Sequence, residues 1–197
     1  MTDEPYFEPL SADLLSDNWG RLTRYTYRLR LRDGSWDEQT REAYDRGNGA
    51  ACLLHDPDAG TVLLIRQFRL PARVAGDDKP FLVEVPAGLL DEEDPEAQMM
   101  KELAEETGYR PRSMRPVFEM YMSPGSVTEK LTLFAGTYDR AQRDGDGGGR
   151  DDEGEDIETL HVPLAEAREM IRDGRIRDAK IVILIQHLLL EHAERTD

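Results

Sequence analysis

The sequence predicts a mixed α/β fold, with a central mixed sheet flanked by helices. Three observations predict it. Tyr25, Tyr27, Leu29 and Leu31 alternate with Thr26, Arg28, Arg30 and Arg32, which is the period of two of a half-buried strand. Short apolar runs at 49–55, 61–68 and 81–85 are punctuated by Gly, Pro and Asp, so several strands are joined by hairpin-like links. Capped helical segments lie between and after these runs, notably at 94–108.

Taken in order, Asp33-Gly34 reads as a turn and residues 36–44 as the returning strand of a hairpin arm. The runs 49–55 and 61–68 are strands linked by the turn His55-Asp56-Pro57-Asp58-Ala59-Gly60. Phe81–Val85 is a short apolar strand that delivers the chain to Pro86-Ala87-Gly88. A helix follows. Asp94 is a good N-cap, Pro95 suits the first helical position, Glu96 sits where the dipole favours acids, and Gly108 is a C-terminal stop. On this helix Ala97, Met100, Leu103 and Ala104 share one face, and Glu102, Glu105 and Glu106 share roughly the opposite one. Strands are expected near 115–121 and 130–138. The Gly- and Asp-rich segment 142–156 is expected as a mobile loop. Ile157–Val162 is a short strand, Pro163–Asp173 a helix stopped by Gly174, and about 179–194 a final amphipathic helix. There are no internal repeats.

A chain of 197 residues suits one domain, or one domain with a short appendage, and 39% hydrophobic residues allow an ordinary core. No apolar run approaches the roughly 20 residues of a membrane span, and the N-terminus MTDEPYFEPL lacks the regions of a signal peptide. The single cysteine, Cys52, excludes a disulfide framework and reads as a buried, inert thiol. These features fit a cytoplasmic location. The net charge of −16 is concentrated: residues 91–106 and residues 144–158 each hold eight acids and one base, and the rest is close to neutral. Two acidic patches on a balanced background suit metal sites better than general solubilisation. With no basic stripe, a nucleic-acid polymer is not expected as a partner, nor is a membrane. His55, His161, His187 and His192 lack metal-ligand spacing and read as structural or exposed.

Glu102, Glu105 and Glu106 stand at i, i+3 and i+4, where like charges cost a helix about 0.2–0.5 kcal/mol per pair. Glu105 and Glu106 also occupy the last turn, where the dipole prefers cations. Lys101, the local base, lies N-terminal to Glu105, the weaker orientation for an ion pair. A local rule broken this clearly points to a functional site, and oxygen-only ligands suit a hard cation, Mg²⁺ or Mn²⁺. A solvated acidic face is the alternative. The spacing of an EF-hand loop is absent.

The pattern Gly88…Glu93…Lys101-Glu102-Leu103-x-Glu105-Glu106-x-Gly108-Tyr109 resembles the signature box of the Nudix hydrolases, which cleave nucleoside diphosphates linked to another group. Two positions depart from the box. Lys101 stands where the family has an Arg thought to hold a catalytic Glu, and Lys cannot form a bidentate fork. The segment between Gly88 and the helix is one residue short, which is also found in the GDP-mannose hydrolase branch of the ADP-ribose pyrophosphatase-like Nudix enzymes. The runs Leu15–Asn18, Tyr44–Gly49, Arg66–Arg69, Tyr121–Gly125 and Glu155–Glu158 resemble that branch too, so the similarity spans about residues 12–190.

The resemblance implies a Nudix-type α/β/α sandwich with a central mixed sheet, and an N-terminal antiparallel hairpin arm exchanged in a homodimer. Residues 1–45 would form the arm and 46–197 the Nudix domain. It implies that Glu102, Glu106 and the Ala87 carbonyl bind Mg²⁺ or Mn²⁺, that Glu105 is a shared or supporting ligand, and that Glu155 of the late acidic loop binds metal or serves as base, with Glu153 as runner-up. Arg69 would clamp phosphate, Gly88 would lie against substrate, and Arg41, Glu42 and Lys180 would lie near it, partly from the partner subunit. Trp19 would stack on the base or, alternatively, belong to a core. Glu129 would hydrogen-bond sugar or phosphates. The implied substrate is a nucleoside diphosphate sugar, GDP-mannose, hydrolysed at its pyrophosphate to GMP and mannose 1-phosphate. The alternatives are an ADP-ribose pyrophosphatase and a nucleotide-binding module of weak catalysis.

Overall fold

The computed structural model describes residues 5–90, 94–150, 152 and 154–194, which form two compact units. The first comprises Met1–Asn48 and Tyr121–Lys130. Its strands β1 (Phe7–Asp17), β2 (Arg21–Arg30) and β3 (Trp36–Asp45) make an antiparallel sheet in the order β1-β2-β3. The hairpin β2–β3 is the expected one. Strand β1 is an addition: register shifts between Pro9 and Ser11 and between Leu14 and Ser16 break its alternation, so no period of two is visible in its sequence. As an edge strand it tolerates Pro9. The returning segment pairs with the end of β3, where Tyr44 N–H donates to the Ser126 carbonyl at 2.9 Å and Thr128 N–H to the Tyr44 carbonyl at 3.0 Å. None of the residues in these three strands is buried.

The second unit comprises Gly49–Met120 and Leu131–Asp197. Its elements are β4 (Gly49–Asp56), β5 (Thr61–Phe68), α1 (Leu70–Val74), β6 (Phe81–Glu84), β7 (Ala87–Leu89), α2 (Pro95–Thr107), β8 (Ser113–Tyr121), β9 (Lys130–Thr137), β10 (Glu158–Pro163), α3 (Leu164–Arg172) and α4 (Ala179–Glu194). The sheet runs β10-β5-β4-β9-β8, with β6 on β5 and β7 on β4. It is mixed, because β4 and β9 are parallel while β10–β5, β4–β5, β4–β7 and β5–β6 are antiparallel. All eight residues of β4 are buried, which requires cover on both faces, and both α2 and α4 pack against it. Met99 and Leu103 of α2 join Ala50, Cys52, Leu54, Leu63, Phe134, Tyr109 and Tyr138 in one core cluster. The expected α/β/α layering is thus present. Helix α1 and the three-residue β7 lie outside the sequence expectation. Cys52 is a free, fully buried thiol whose pKa is pushed up by burial. No helix among the described residues is long and apolar enough to cross a membrane.

Asp56 fastens the turn after β4. Its carboxylate accepts the N–H groups of Asp58 and Ala59 at 3.0 Å each, and that of Arg140 at 2.8 Å. These bonds, the one from Arg140 foremost, hold the carboxyl below its ordinary value against burial. The stability they contribute is present above the ordinary carboxylate pKa and is lost as pH falls through the depressed value. Asp56→Ala is expected to lose about 2–3 kcal/mol at pH 7. In thermal melts the gap to wild type should narrow near pH 3; an equal gap at both pH values would refute the role.

Candidate active site

The chain reaches the site by passing from the β5 side of the sheet to β4. After Glu84, the Pro86 carbonyl accepts the Cys52 N–H at 3.0 Å, and Ala87 and Gly88 then pair with Ala51 and Ala50. This lays the Ala87-Gly88 backbone along α2, which packs on both β4 and β7. The helix is built as its caps predict. Asp94 accepts the N–H groups of Glu96 and Ala97 at 3.1 and 3.2 Å, and Gly108 closes the helix at φ 74°.

The buried face of α2 differs from the expectation. Gln98, Met99, Leu103, Glu106 and Thr107 are buried, Ala97 is exposed, and Met100 and Ala104 are half-buried. The reason is polar as well as apolar: the Ala87 N–H donates to Glu106 Oε2 at 3.1 Å and draws that carboxylate inward, to 2% exposure. Glu102 is half-buried, and its Oε1 accepts Gln98 Nε2 at 2.8 Å. A Cβ on Gly88 would lie closer than 3.0 Å to the Glu102 carboxyl carbon, so only glycine admits Glu102 there. Lys101 is exposed, and the bond that orients Glu102 comes from Gln98. Gln98 was legible only as an i, i+4 partner of Glu102.

The segment 142–156 was expected as a mobile loop; its described residues are docked on the end of α2. The Gly108 carbonyl accepts the N–H groups of Asp144 and Gly145 at 2.8 and 3.2 Å, the Glu106 carbonyl accepts Gly148 N–H at 2.9 Å, and the Glu105 carbonyl accepts Gly149 N–H at 3.1 Å. These carbonyls are among those a helix leaves without partners. The glycines make the approach possible, since a Cβ on Gly108 or Gly147 would fall within 3.0 Å of the opposing backbone. The donated N–H groups also offset the negative end of the dipole, which answers the mismatch of acids in the last turn. The loop brings Glu155, half-buried, whose Oε2 accepts the Arg150 N–H at 3.0 Å.

Three carboxylates therefore share one electrostatic neighbourhood. Burial raises the Glu106 carboxyl well above its ordinary value, and the charges of Glu102 and Glu155 add to the rise against the Ala87 N–H and Arg69. Burial also raises Glu102, with Glu105 and Glu155 adding to it. Among the described residues, no three His, Cys, Asp or Glu side chains form a ready-made cluster for a metal ion. Glu102, Glu106 and Glu155 are each turned to a protein donor. The donor set is nonetheless all oxygen and crowded with negative charge, which fits a hard divalent cation.

Beside these acids stands a cationic group. Arg69 forks onto Glu84, Nε to Oε1 at 2.7 Å and Nη2 to Oε2 at 3.0 Å, and Lys180 Nζ reaches Glu84 Oε2 at 3.3 Å. Glu84 is not among the residues the sequence singles out, although a lone acid inside the apolar strand 81–85 is a signal for it. The remaining sequence candidates lie in the first unit. Trp19 is 83% exposed, which rules out a core tryptophan; Arg41 Nη1 bonds the Thr40 carbonyl; Glu42 pairs with Arg24 at 3.7 Å and Glu129 with Arg46 at 3.5 Å. Glu93 and Glu153 lie outside the described residues.

Residues 45–184 match the family model of the NUDIX domain. The chain belongs to the Nudix family. Residues 10–44 of this Nudix protein match the model described as the GDP-mannose pyrophosphatase NudK N-terminal domain. It is 48% identical over 177 residues to a GDP-mannose pyrophosphatase of Pectobacterium atrosepticum, covering 90% of this chain and 91% of the relative. It is 49% identical over 183 residues to the GDP-mannose pyrophosphatase of Cronobacter sakazakii, covering 93% and 95%. A crystal structure of an ADP compounds hydrolase superposes with a TM-score of 0.73 over 100% of this chain and 98% of that one; at 17% identity it shows the shared fold. The expectation of a Nudix hydrolase on this fold is borne out.

Proposed function

We propose that this Nudix hydrolase is a divalent-cation-dependent pyrophosphatase of nucleoside diphosphate sugars, with GDP-mannose as its substrate and GMP and mannose 1-phosphate as products. The observation that carries the chemistry is the buried Glu106 carboxylate, bonded to the Ala87 N–H and crowded by Glu102 and Glu155 with Arg69 in the same field. The substrate rests on the relatives at 48% and 49% identity, which are GDP-mannose pyrophosphatases.

In this reading Glu102, Glu106, Glu155 and the Ala87 carbonyl hold Mg²⁺ or Mn²⁺, with Glu105 supporting. When bound, such a cation would neutralise phosphate charge and help activate the attacking water. Arg69 and Lys180 grip the diphosphate as charge-assisted donors. Gly88 leaves room for Glu102 and presents backbone to the substrate. A carboxylate of the set, Glu155 foremost, takes the proton from the attacking water. Trp19 stacks on the base, Arg41 and Glu42 reach the substrate from the partner subunit, and Glu129 meets sugar or phosphate.

Residues 1–45 act as a dimer-forming arm in this reading, and 46–197 as the catalytic domain. The apolar side chains that the arm exposes, among them Phe7, Leu14, Tyr25 and Trp36, support a homodimer. A cytoplasmic site of action is in keeping with the free, buried Cys52. The test is a panel of GDP-mannose, other nucleoside diphosphate sugars and ADP-ribose, each with and without Mg²⁺, followed by phosphate release and nucleotide analysis. GDP-mannose is expected to be turned over best, to GMP, only with the cation. Exclusive turnover of ADP-ribose would reject the substrate, and no turnover of any would reject catalysis.

A further inference from the structure

We propose that Glu84 is a positioning residue that holds Arg69 and Lys180 as a fixed pair of cationic clamps for a diphosphate. The inference rests on the function proposed above and adds a residue to it. Glu84 is the last residue of β6 and is 2% exposed. A carboxylate this deep is retained only with partners. It has two, drawn from elements far apart in sequence: Arg69 just beyond β5, and Lys180 in the first turn of α4.

The geometry is that of a clamp held from below. Arg69 spends two of its five N–H donors in the fork, on Nε and Nη2. Its side chain is 40% exposed while that of Glu84 is 2% exposed, so the anchoring carboxylate is buried and the cation it holds keeps access to solvent. The Arg69 backbone is pinned as well, its N–H donating to the Pro80 carbonyl at 2.8 Å. Lys180 Nζ is shared between Glu84 at 3.3 Å and Asp178 at 2.5 Å, and Asp178 in turn accepts the Ile181 N–H at 3.1 Å in the first turn of α4. One buried carboxylate on β6 thus sets the spacing of two cations, one from the end of β5 and one from α4. A fork is used where a planar group must be held in one orientation. Arg69 and Glu106 also feel each other's charge. A carboxylate that orients cations acts on ground-state binding of the diphosphate rather than on proton transfer.

The test uses the full chain with GDP-mannose and Mg²⁺. Glu84→Gln keeps the shape but turns an NH₂ group toward a guanidinium, so the fork is lost. KM is expected to rise about tenfold with kcat changed by less than about threefold, and Glu84→Gln added to Arg69→Ala is expected to raise KM by clearly less than it does in the wild-type chain, the remainder passing through Lys180. A folded Glu84→Gln with wild-type KM overturns the proposal. So does a loss confined to kcat, which is what a smaller folded fraction produces, and so does additivity of the two substitutions. Should Glu84→Gln melt below the assay temperature, Glu84→Asp decides, because it keeps the charge but is too short to hold both cations in place: a raised KM supports the proposal and an unchanged KM overturns it. Absence of turnover by the wild-type chain would instead count against the function on which the proposal rests.

Discussion

Replacing Glu106 with Gln is expected to lower kcat by about 10²–10³-fold, the scale of removing one preorganised electrostatic group from a reaction centre, while leaving the fold intact. Gln keeps an oxygen for the Ala87 N–H, so the packing of α2 on β7 survives. What is lost is a negative charge buried at 2% exposure beside Glu102 and Glu155. Burial and those neighbours raise the Glu106 carboxyl, so its ionised form works against the metal-free fold. The sign follows: stability tied to this group is present at low pH and is lost as pH rises through the raised value. The metal-free variant should therefore be more stable than wild type at neutral pH, by about 1 kcal/mol or roughly 2–4 °C. Mg²⁺ should raise the melting temperature of wild type and leave that of the variant nearly unmoved. Steady-state kinetics and melts with and without Mg²⁺ check all three. Wild-type turnover in Glu106→Gln would remove this residue from the site.

Gly88→Ala should cost about 10²-fold in kcat/KM, the scale of misplacing a reacting group by about 1 Å. Gly88 has no positive φ, so its backbone accepts alanine without strain. The added methyl would instead fall within 3.0 Å of the Glu102 side chain. Glu102 has to swing away and abandon Gln98. Since the whole effect passes through Glu102, Gly88→Ala placed on Glu102→Ala should add little further loss, and circular dichroism should show the same fold in each variant. Full additivity, or an active Gly88→Ala, would show that the close approach has no part in catalysis.

How far each feature could be read from the chain depended on whether its cause was local. Strands β2 to β6 announce themselves through alternation or apolar runs, and β1 does not, because two register shifts scramble its period. Strand β7 is three residues long and exists only because β4 offers it a partner. The ends of α2 were legible from Asp94, Pro95 and Gly108, whose effects are exerted within one turn. Its buried face was not. Apolar spacing favoured Ala97 and Met100, but what covers a helix is set by the element opposite, and here that element is a backbone N–H that draws in an acid. Glycine and aspartate at 142–156 looked like a mobile segment because composition cannot reveal that helix carbonyls about 40 residues earlier accept its N–H groups.

By itself the sequence determined the family motif, the three glutamates of its helix and the alternation of the arm, all of which lie in short stretches where residue type and spacing are sufficient. Only the tertiary structure decided that Gln98 rather than Lys101 bonds Glu102, and that Arg69, Glu84 and Lys180 form one group. The physical reason is that these pairings span 4 to 96 positions and their strength comes from burial. A carboxylate's energy depends on how much water it loses and on which charges replace that water, and both are properties of the packed molecule rather than of the chain.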